Sequence, residues 1–299
     1  MAKLLAILGS GRANGYTSKL LKSSVEGAST VDDIEIQWIH LHRYSIGPCT
    51  SCFHCIRNRG TGCVIDDDFG GHGRGALYQS VKESAGFILG DAVHNWTITA
   101  AMRLFIERLY PFIWTGELAG SHLASISCAS NSGMHRESAR LLCQEAFCLG
   151  FHYAGGLAIH LTRFDEALQD AYELGKKLAI AARHGRTPVK KESLLREYEG
   201  EIWHIIPQYL DNLTEGTMKY ESSLPARALR EKRFHDPEAV DLLRRAAEGL
   251  KELLAAYAEH DTAGSPDLLM KVAECWVQAT WKEFVQPITR SEAPPAYRG

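Results

Sequence analysis

Five short apolar runs, at residues 4–8, 34–41, 86–90, 122–127 and 153–160, alternate with stretches whose apolar residues recur at helical spacing. Strands that alternate with helices build βαβ units, and such units build a parallel sheet with helices on both faces. The first run, Leu4-Leu5-Ala6-Ile7-Leu8, is apolar at every position, as a strand buried on both sides requires. Helical stretches fall at 18–27, 97–110, 137–149 and 165–183. The second of them carries Ile98, Ala101, Met102, Phe105, Ile106 and Leu109 on one face. The pattern predicts an α/β domain over residues 1–187 with a five-stranded parallel sheet.

Gly185-Arg186-Thr187-Pro188 reads as a linker, and residues 188–299 as a helical extension. Leu195, Tyr198, Ile202, Ile205, Ile206 and Tyr209 recur at helical spacing, with Pro207 expected to kink or end that helix. Asp236-Pro237-Glu238 and Ser265-Pro266-Asp267 each set a capping residue before a proline suited to a first turn. They announce one helix through Val240, Leu243, Leu250 and Leu254 and another through Leu268, Val272, Trp276 and Phe284. Trp203, Trp276 and Trp281 are expected in the core, and the Pro-rich tail from Ser291 is expected to be loose.

A formal net charge of −3 offers no electrostatic case for nucleic acid or an anionic membrane. No apolar run approaches the roughly 20 residues that span a bilayer, and Met1-Ala2-Lys3 does not open a secretory signal. The expected location is the cytoplasm, where thiols stay reduced and ligation is favoured over disulfides.

That matters because Cys49, Cys52, Cys55 and Cys63 lie in a Cys-x2-Cys-x2-Cys-x7-Cys run. Such tight runs favour iron–sulfur clusters, whereas structural zinc usually takes two separated pairs. Three readings stay open from spacing: a cluster, zinc, or redox-active thiols. Cys128, Cys143, Cys148 and Cys275 have no partner spacing and read as small buried hydrophobes, with Cys128 also opening a loop at a strand end. Asp66-Asp67-Asp68 reads as a cap for a following helix.

Between the first strand and first helix stands Gly9-Ser10-Gly11-Arg12-Ala13-Asn14-Gly15-Tyr16-Thr17-Ser18. Its Gly-x-Gly-x-x-x-Gly spacing misses the dinucleotide fingerprint, and His40-Leu41-His42-Arg43 replaces the acidic residue expected after the second strand. Ser10, Arg12, Asn14, Thr17 and Ser18 supply hydroxyls, an amide and a guanidinium. That set suits a terminal monophosphate at a helix N-terminus better than a pyrophosphate.

The loop Ser10-x-Arg12-x-Asn14-Gly15-x-Thr17, the run Pro48-Cys49 to Cys63-x-Ile65-x-Asp67-Asp68, the helix Arg103-x-Phe105-Ile106-Glu107-Arg108, and Gly150-Phe151 with Gly155-Gly156 together resemble the iron–sulfur flavoproteins. These belong to the NADPH-dependent FMN reductase superfamily, and the resemblance spans about residues 3–183. It implies a flavodoxin-like fold with FMN at the carboxyl ends of the strands. Ser10, Arg12, Asn14, Tyr16 and Thr17 would hold its phosphate. Ala92, Val93, His94, Asn95 and Trp96, with Ala129, Ser130, Asn131 and Gly133, would flank its ring. It also implies a [4Fe–4S] cluster on Cys49, Cys52, Cys55 and Cys63, and a homodimer or homotetramer. The expected activity is an FMN- and [4Fe–4S]-dependent oxidoreductase that couples two-electron flavin chemistry to one-electron transfer. NAD(P)H is an expected donor, and the expected partners are a small redox substrate or an electron-carrier protein. The alternatives are an NAD(P)H-dependent FMN or quinone reductase without a cluster, and a non-catalytic electron-transfer or redox-sensing protein.

Further expectations attach to single residues. His94 is the candidate proton donor, since an imidazole can both give and take a proton. Asp91 stands where the family has serine, and an aspartate beside the flavin would oppose a reduced, anionic ring. Gly70-Gly71-His72-Gly73-Arg74-Gly75 is an insertion expected to be mobile. The cluster is expected at the rim of the sheet's carboxyl edge.

Overall fold

The computed structural model describes residues 1–131, 133–200, 202–259 and 265–290. The loose tail expected from Ser291 lies outside them. The chain divides into two compact units, Met1–Lys190 and a second beginning at Lys191.

The first unit runs β1 (Ala2–Leu8), α1 (Tyr16–Ala28), β2 (Ile34–His40), α2 (His54–Arg57), α3 (Ala76–Glu83), β3 (Gly86–Ala92), α4 (Ala100–Arg108), α5 (Tyr110–Thr115), β4 (His122–Ala129), α6 (His135–Cys148), β5 (His152–His160) and α7 (Phe164–Ala182). The strands form one parallel sheet in the order β2-β1-β3-β4-β5, the flavodoxin-like arrangement. Side chains alternate between its faces. Ile88, Ala124 and Ile126 pack with Leu20 and Leu21 of α1 and Leu178 of α7. Phe87 and Leu89 meet Phe105 and Ile106 of α4 and Leu142 of α6 on the other side. Helices α1 and α7 cross at Gly27 and Gly175, where a methyl group would collide with the Tyr172 and Ser24 carbonyls respectively.

The helix expected at 97–110 is two helices. Thr99 caps α4, its hydroxyl accepting from Met102 N–H, because residues 94–97 are spent in a tight turn. Pro111 then sits in the first turn of α5, where its missing N–H costs nothing. The expected linker is fastened to the first unit: Arg186 donates to Ser121 Oγ (3.1 Å) and Ser84 O (3.0 Å), and Thr187 N–H to Gly120 O (2.9 Å).

The second unit holds α8 (Lys191–Tyr198), α9 (Ile205–Leu213), α10 (Leu224–Arg230), α11 (Pro237–Ala258), α12 (Ser265–Thr280) and α13 (Gln286–Arg290). Pro207 does not end a helix here. It lies in the first turn of α9, and the break falls before it, where Glu199 Oε2 accepts from Ile205 N–H (2.7 Å) and Ile206 N–H (3.1 Å). The expected cap at Asp236 is present, its carboxylate accepting from Ala239 N–H (2.9 Å). Ala239, Leu242, Leu243 and Ala246 of α11 pack with Cys275 and Ala279 of α12. Trp203 is buried, but between helices, and Trp276 is partly buried. Phe284 is half-exposed on a π-helical turn, edge-on to Phe234 at 5.1 Å.

Candidate functional site

Parallel strands bring the ends of β1, β3 and β4 to one edge, so three separate loops meet there. In the first, Gly15 stands at the N-cap of α1 with no side-chain cap, and the first turn holds no acidic residue. The N–H groups of Ser10, Gly11, Ala13, Asn14, Tyr16, Thr17 and Ser18 find no acceptor among the described residues. Such a set of free donors at a helix N-terminus is an anion cradle. Ser10, Thr17 and Ser18 are buried, while Arg12 and Asn14 are exposed. Ser18 Oγ donates to Ala13 O at 2.6 Å, and Asn14 accepts from Lys22 Nζ at 3.4 Å. Tyr16 is exposed and meets Phe164 edge-on at 4.9 Å. Beneath the loop lies Cys128, whose thiol burial pushes up to about 11, with the Thr17 hydroxyl opposing that shift.

The second loop leaves β3 at Ala92. Val93 N–H donates to Cys128 O (3.0 Å), and His94 and Thr97 exchange backbone hydrogen bonds at 2.9 and 3.0 Å. Asn95 and Trp96 close that turn with φ of 46° and 68°, a conformation side chains rarely adopt. Trp96 is 64% exposed as a result. His94 is exposed on a cavity of about 560 Å³ shared with Asn95, Thr97, Ile98, Ala100, Arg103 and Leu141. The third loop begins at buried Ala129 and continues through exposed Ser130 and Asn131 to Gly133. His160 Nε2 donates to Asn131 O at 3.1 Å and holds this loop to β5. His135 follows, its pKa lowered by burial and by neighbouring His160 and Arg136.

Asp91 does not face solvent. It is fully buried under the first loop, accepting from Thr99 N–H (2.8 Å) with the Thr99 hydroxyl also at 2.8 Å. The same hydroxyl is 3.0 Å from Gly9 O. A hydroxyl has one proton, so Thr99 reaches Gly9 fully only when Asp91 is protonated and donates to it. Burial pushes Asp91 up to about 7 from 3.8, against the donors from Thr99. A raised folded-state pKa favours the protonated form, so this contribution is complete below pH 4 and is lost as pH rises to 7. The rise corresponds to about 4 kcal/mol at most. Asp91→Asn is therefore expected to compare worst with the wild type near pH 4.5 and to gain on it by pH 7.5 in urea titrations. An identical difference at both pH values would assign the slope elsewhere.

The cysteine segment is anchored by a pair that spacing does not reveal. Arg108, 1% exposed, pairs with Asp67 and donates to Gly47 O (3.3 Å), Ile65 O (3.1 Å) and Gly70 O (3.4 Å). Asp67 also accepts from Gly47 N–H (2.7 Å) and Phe69 N–H (3.0 Å). Asp68 accepts from Ser45 N–H at 2.6 Å. Neither caps a helix, since α3 begins only after Gly75. The inserted glycines are tied down rather than loose: Gly70 and Gly71 are buried, and His72 N–H donates to Cys63 O at 2.6 Å.

Cys49, Cys52, Cys55 and Cys63 all line one cavity of about 450 Å³. Its other wall comes from Arg103, Ile106, Glu107, Tyr110 and Ile113, and from Glu145 and Cys148 of α6. Among the described residues no three His, Cys, Asp or Glu side chains gather closely enough to grip a single ion. The four cysteines share only the lining of that cavity. Burial raises the Cys49 thiol and lifts Cys55 to about 11, with the neighbouring cysteines adding to both. Burial likewise lifts Glu145 to about 7, with Arg103 opposing.

The cavity is shared by the cysteine segment and by residues of α4, α5 and α6. Arg103 lines this cavity and the one at His94, and so stands between them. Cys148 is exposed in the cysteine cavity and is no core residue; Cys128, Cys143 and Cys275 are buried. Glu145 and Arg103 were absent from the sequence-level site because only the pairing of α4 with α6 brings them to the thiols. His40 and His42 were also missed: their Nε2 atoms lie 2.9 Å from Ser10 O and 3.2 Å from Gly9 O. Their signal was the pair of histidines in place of an acidic residue.

Among the described residues no helix is long and apolar enough to cross a membrane. The sequence pattern of the NADPH-dependent FMN reductase family matches residues 2–163. The iron–sulfur flavoprotein of Archaeoglobus fulgidus is 31% identical over 183 residues, 60% of this chain and 80% of that protein. A second iron–sulfur flavoprotein, from Methanocaldococcus jannaschii, is 28% identical over 109 residues, 36% of this chain and 52% of that protein. The flavodoxin, WrbA-like protein from Agrobacterium tumefaciens superposes with a TM-score of 0.41 at 12% identity, over 62% of this chain and all of that one. The chain belongs to the NADPH-dependent FMN reductase family, alongside the iron–sulfur flavoproteins, and is a flavin-dependent oxidoreductase whose flavin is FMN.

Proposed function

We propose that the protein is an FMN- and [4Fe–4S]-dependent oxidoreductase that couples a two-electron donor or substrate, NAD(P)H among them, to one-electron transfer. One observation carries this: a single α/β unit holds both an anion cradle at the α1 N-terminus and a cavity lined by Cys49, Cys52, Cys55 and Cys63. The residues fit both groups. Free N–H donors, buried Ser10, Thr17 and Ser18, and exposed Arg12 suit a phosphate dianion. Tetrahedral zinc, with Zn–S near 2.3 Å, draws its sulfurs to about 3.8 Å of one another. Iron–sulfur clusters are held by four cysteines, and four line this cavity.

Bound FMN would supply hydride chemistry, and a cluster single-electron steps. The chain's own part is to hold and orient. Ser10, Arg12, Asn14, Tyr16, Thr17 and Ser18 would fix the phosphate end. Ala92, Val93, His94, Asn95 and Trp96 on one side, with Ala129, Ser130, Asn131 and Gly133 on the other, would bound the ring. His94, exposed on its own cavity, would exchange a proton with substrate at an imidazole nitrogen. The domains are assigned as 1–187 for the flavin unit and 188–299 for the extension. A homodimer or homotetramer in the cytoplasm is the proposed assembly and location.

Anaerobic purification with iron, sulfide and FMN assays and EPR tests the proposal. About four iron and one FMN per chain are expected. FMN without iron would favour an NAD(P)H-dependent FMN or quinone reductase lacking a cluster. Failure of NADPH to bleach the flavin would favour a carrier reduced by a protein donor.

A further inference from the structure

We propose that His40 and His42 are positioning residues that aim the Ser10 and Gly11 N–H groups at the flavin phosphate and so make the loop selective for a phosphorylated flavin. The inference rests on the flavin site proposed above and adds to it two residues from the end of β2. His40 is buried, with Nε2 2.9 Å from Ser10 O. His42 has Nε2 3.2 Å from Gly9 O. A carbonyl oxygen only accepts, so both imidazoles carry the proton on Nε2.

In a trans peptide the C=O and the following N–H point in opposite directions, and no peptide bond in the described chain is cis. With the Ser10 carbonyl held toward His40, the Gly11 N–H is turned to the far side of that peptide. With the Gly9 carbonyl held toward His42 and the Thr99 hydroxyl, the Ser10 N–H is turned away likewise. Neither N–H has an acceptor among the described residues. A glycine at position 11 would otherwise let its peptide flip easily. The His42 ring lies against that glycine, since a Cβ on Gly11 would be 3.3 Å from its Cε1. Two free donors therefore share the loop with the bare N-terminus of α1, and an anion is the chemistry that satisfies them. The flavin ring is bounded by other loops, so loss of this alignment falls on the phosphate alone.

The test uses the full chain stripped of flavin and titrated with FMN and with riboflavin by fluorescence quenching. His40→Phe and His42→Phe remove the donor and keep a ring; His40→Gln and His42→Gln keep an N–H. Each Phe variant is expected to raise the FMN Kd roughly tenfold, the scale of one donor lost to a buried acceptor. Riboflavin affinity should be unchanged, and the Gln variants should recover most of the FMN loss. Inorganic phosphate should compete with FMN in the wild type and more weakly in the Phe variants. Equal losses for FMN and riboflavin, or no loss for either, would overturn the inference. His42 is exposed, so its variant carries the test if His40→Phe fails to fold. A wild type that binds neither flavin would overturn the flavin site itself, an outcome distinct from a wild type that binds both without the histidines mattering.

Discussion

Arg108→Met is expected to destabilise the first unit by about 3–5 kcal/mol, the cost of stranding one member of a buried ion pair. The guanidinium is 1% exposed, pairs with Asp67, and donates to carbonyls on both sides of the cysteine run. Its loss leaves the Asp67 carboxylate without its cation and the Ile65 and Gly70 carbonyls without a donor. Methionine fills comparable space against Phe69, so lost packing contributes little. Adding Asp67→Asn should recover part of the loss, because it removes the stranded charge. Urea unfolding of the wild type, both single variants and the double variant measures the coupling. A change under about 0.5 kcal/mol in Arg108→Met would mean that the pair does not hold the segment. The segment's geometry should loosen as well, with reconstituted iron falling even where the fold survives.

Cys55→Ser should reduce reconstituted iron from about four per chain to a minor fraction, since a hydroxyl is a poor replacement for a thiolate ligand. FMN affinity should hold, because the phosphate loop is built on β1 and α1 while Cys55 lies on α2. Cys148→Ser is the control: it sits in the same cavity but outside the tight run, and iron should be retained. Iron kept by Cys55→Ser, or lost by Cys148→Ser, would transfer the ligand role to the fifth thiol.

Much of the α/β unit was legible from periodicity because a strand buried on both faces must be apolar throughout. Leu4 to Leu8 and Gly86 to Gly90 met that condition and became the central strands β1 and β3. Helix limits were less legible where a turn used apolar residues. Ile98 extended the helical pattern, yet the turn at 94–97 delayed α4 to Ala100. Pro207 misled in the other direction, since a proline signals a break only when it lies beyond the first turn. Cys148 looked like a core residue because a cysteine without partner spacing carries no sign of the cavity it faces.

The order of residues was enough to determine the alternation of strands and helices and the segment whose four cysteines line one cavity. Each depends on spacing along a few turns of chain, which local geometry converts directly into position. Tertiary structure decided that Asp91 is buried against Thr99, that Asp67 and Arg108 clamp the cysteine run, and that His40 and His42 reach the Ser10 and Gly9 carbonyls from the end of β2. These contacts join residues 8 to 41 positions apart, across neighbouring strands and helices. Burial and partner together set their charge and direction, and neither exists until the sheet has closed around them.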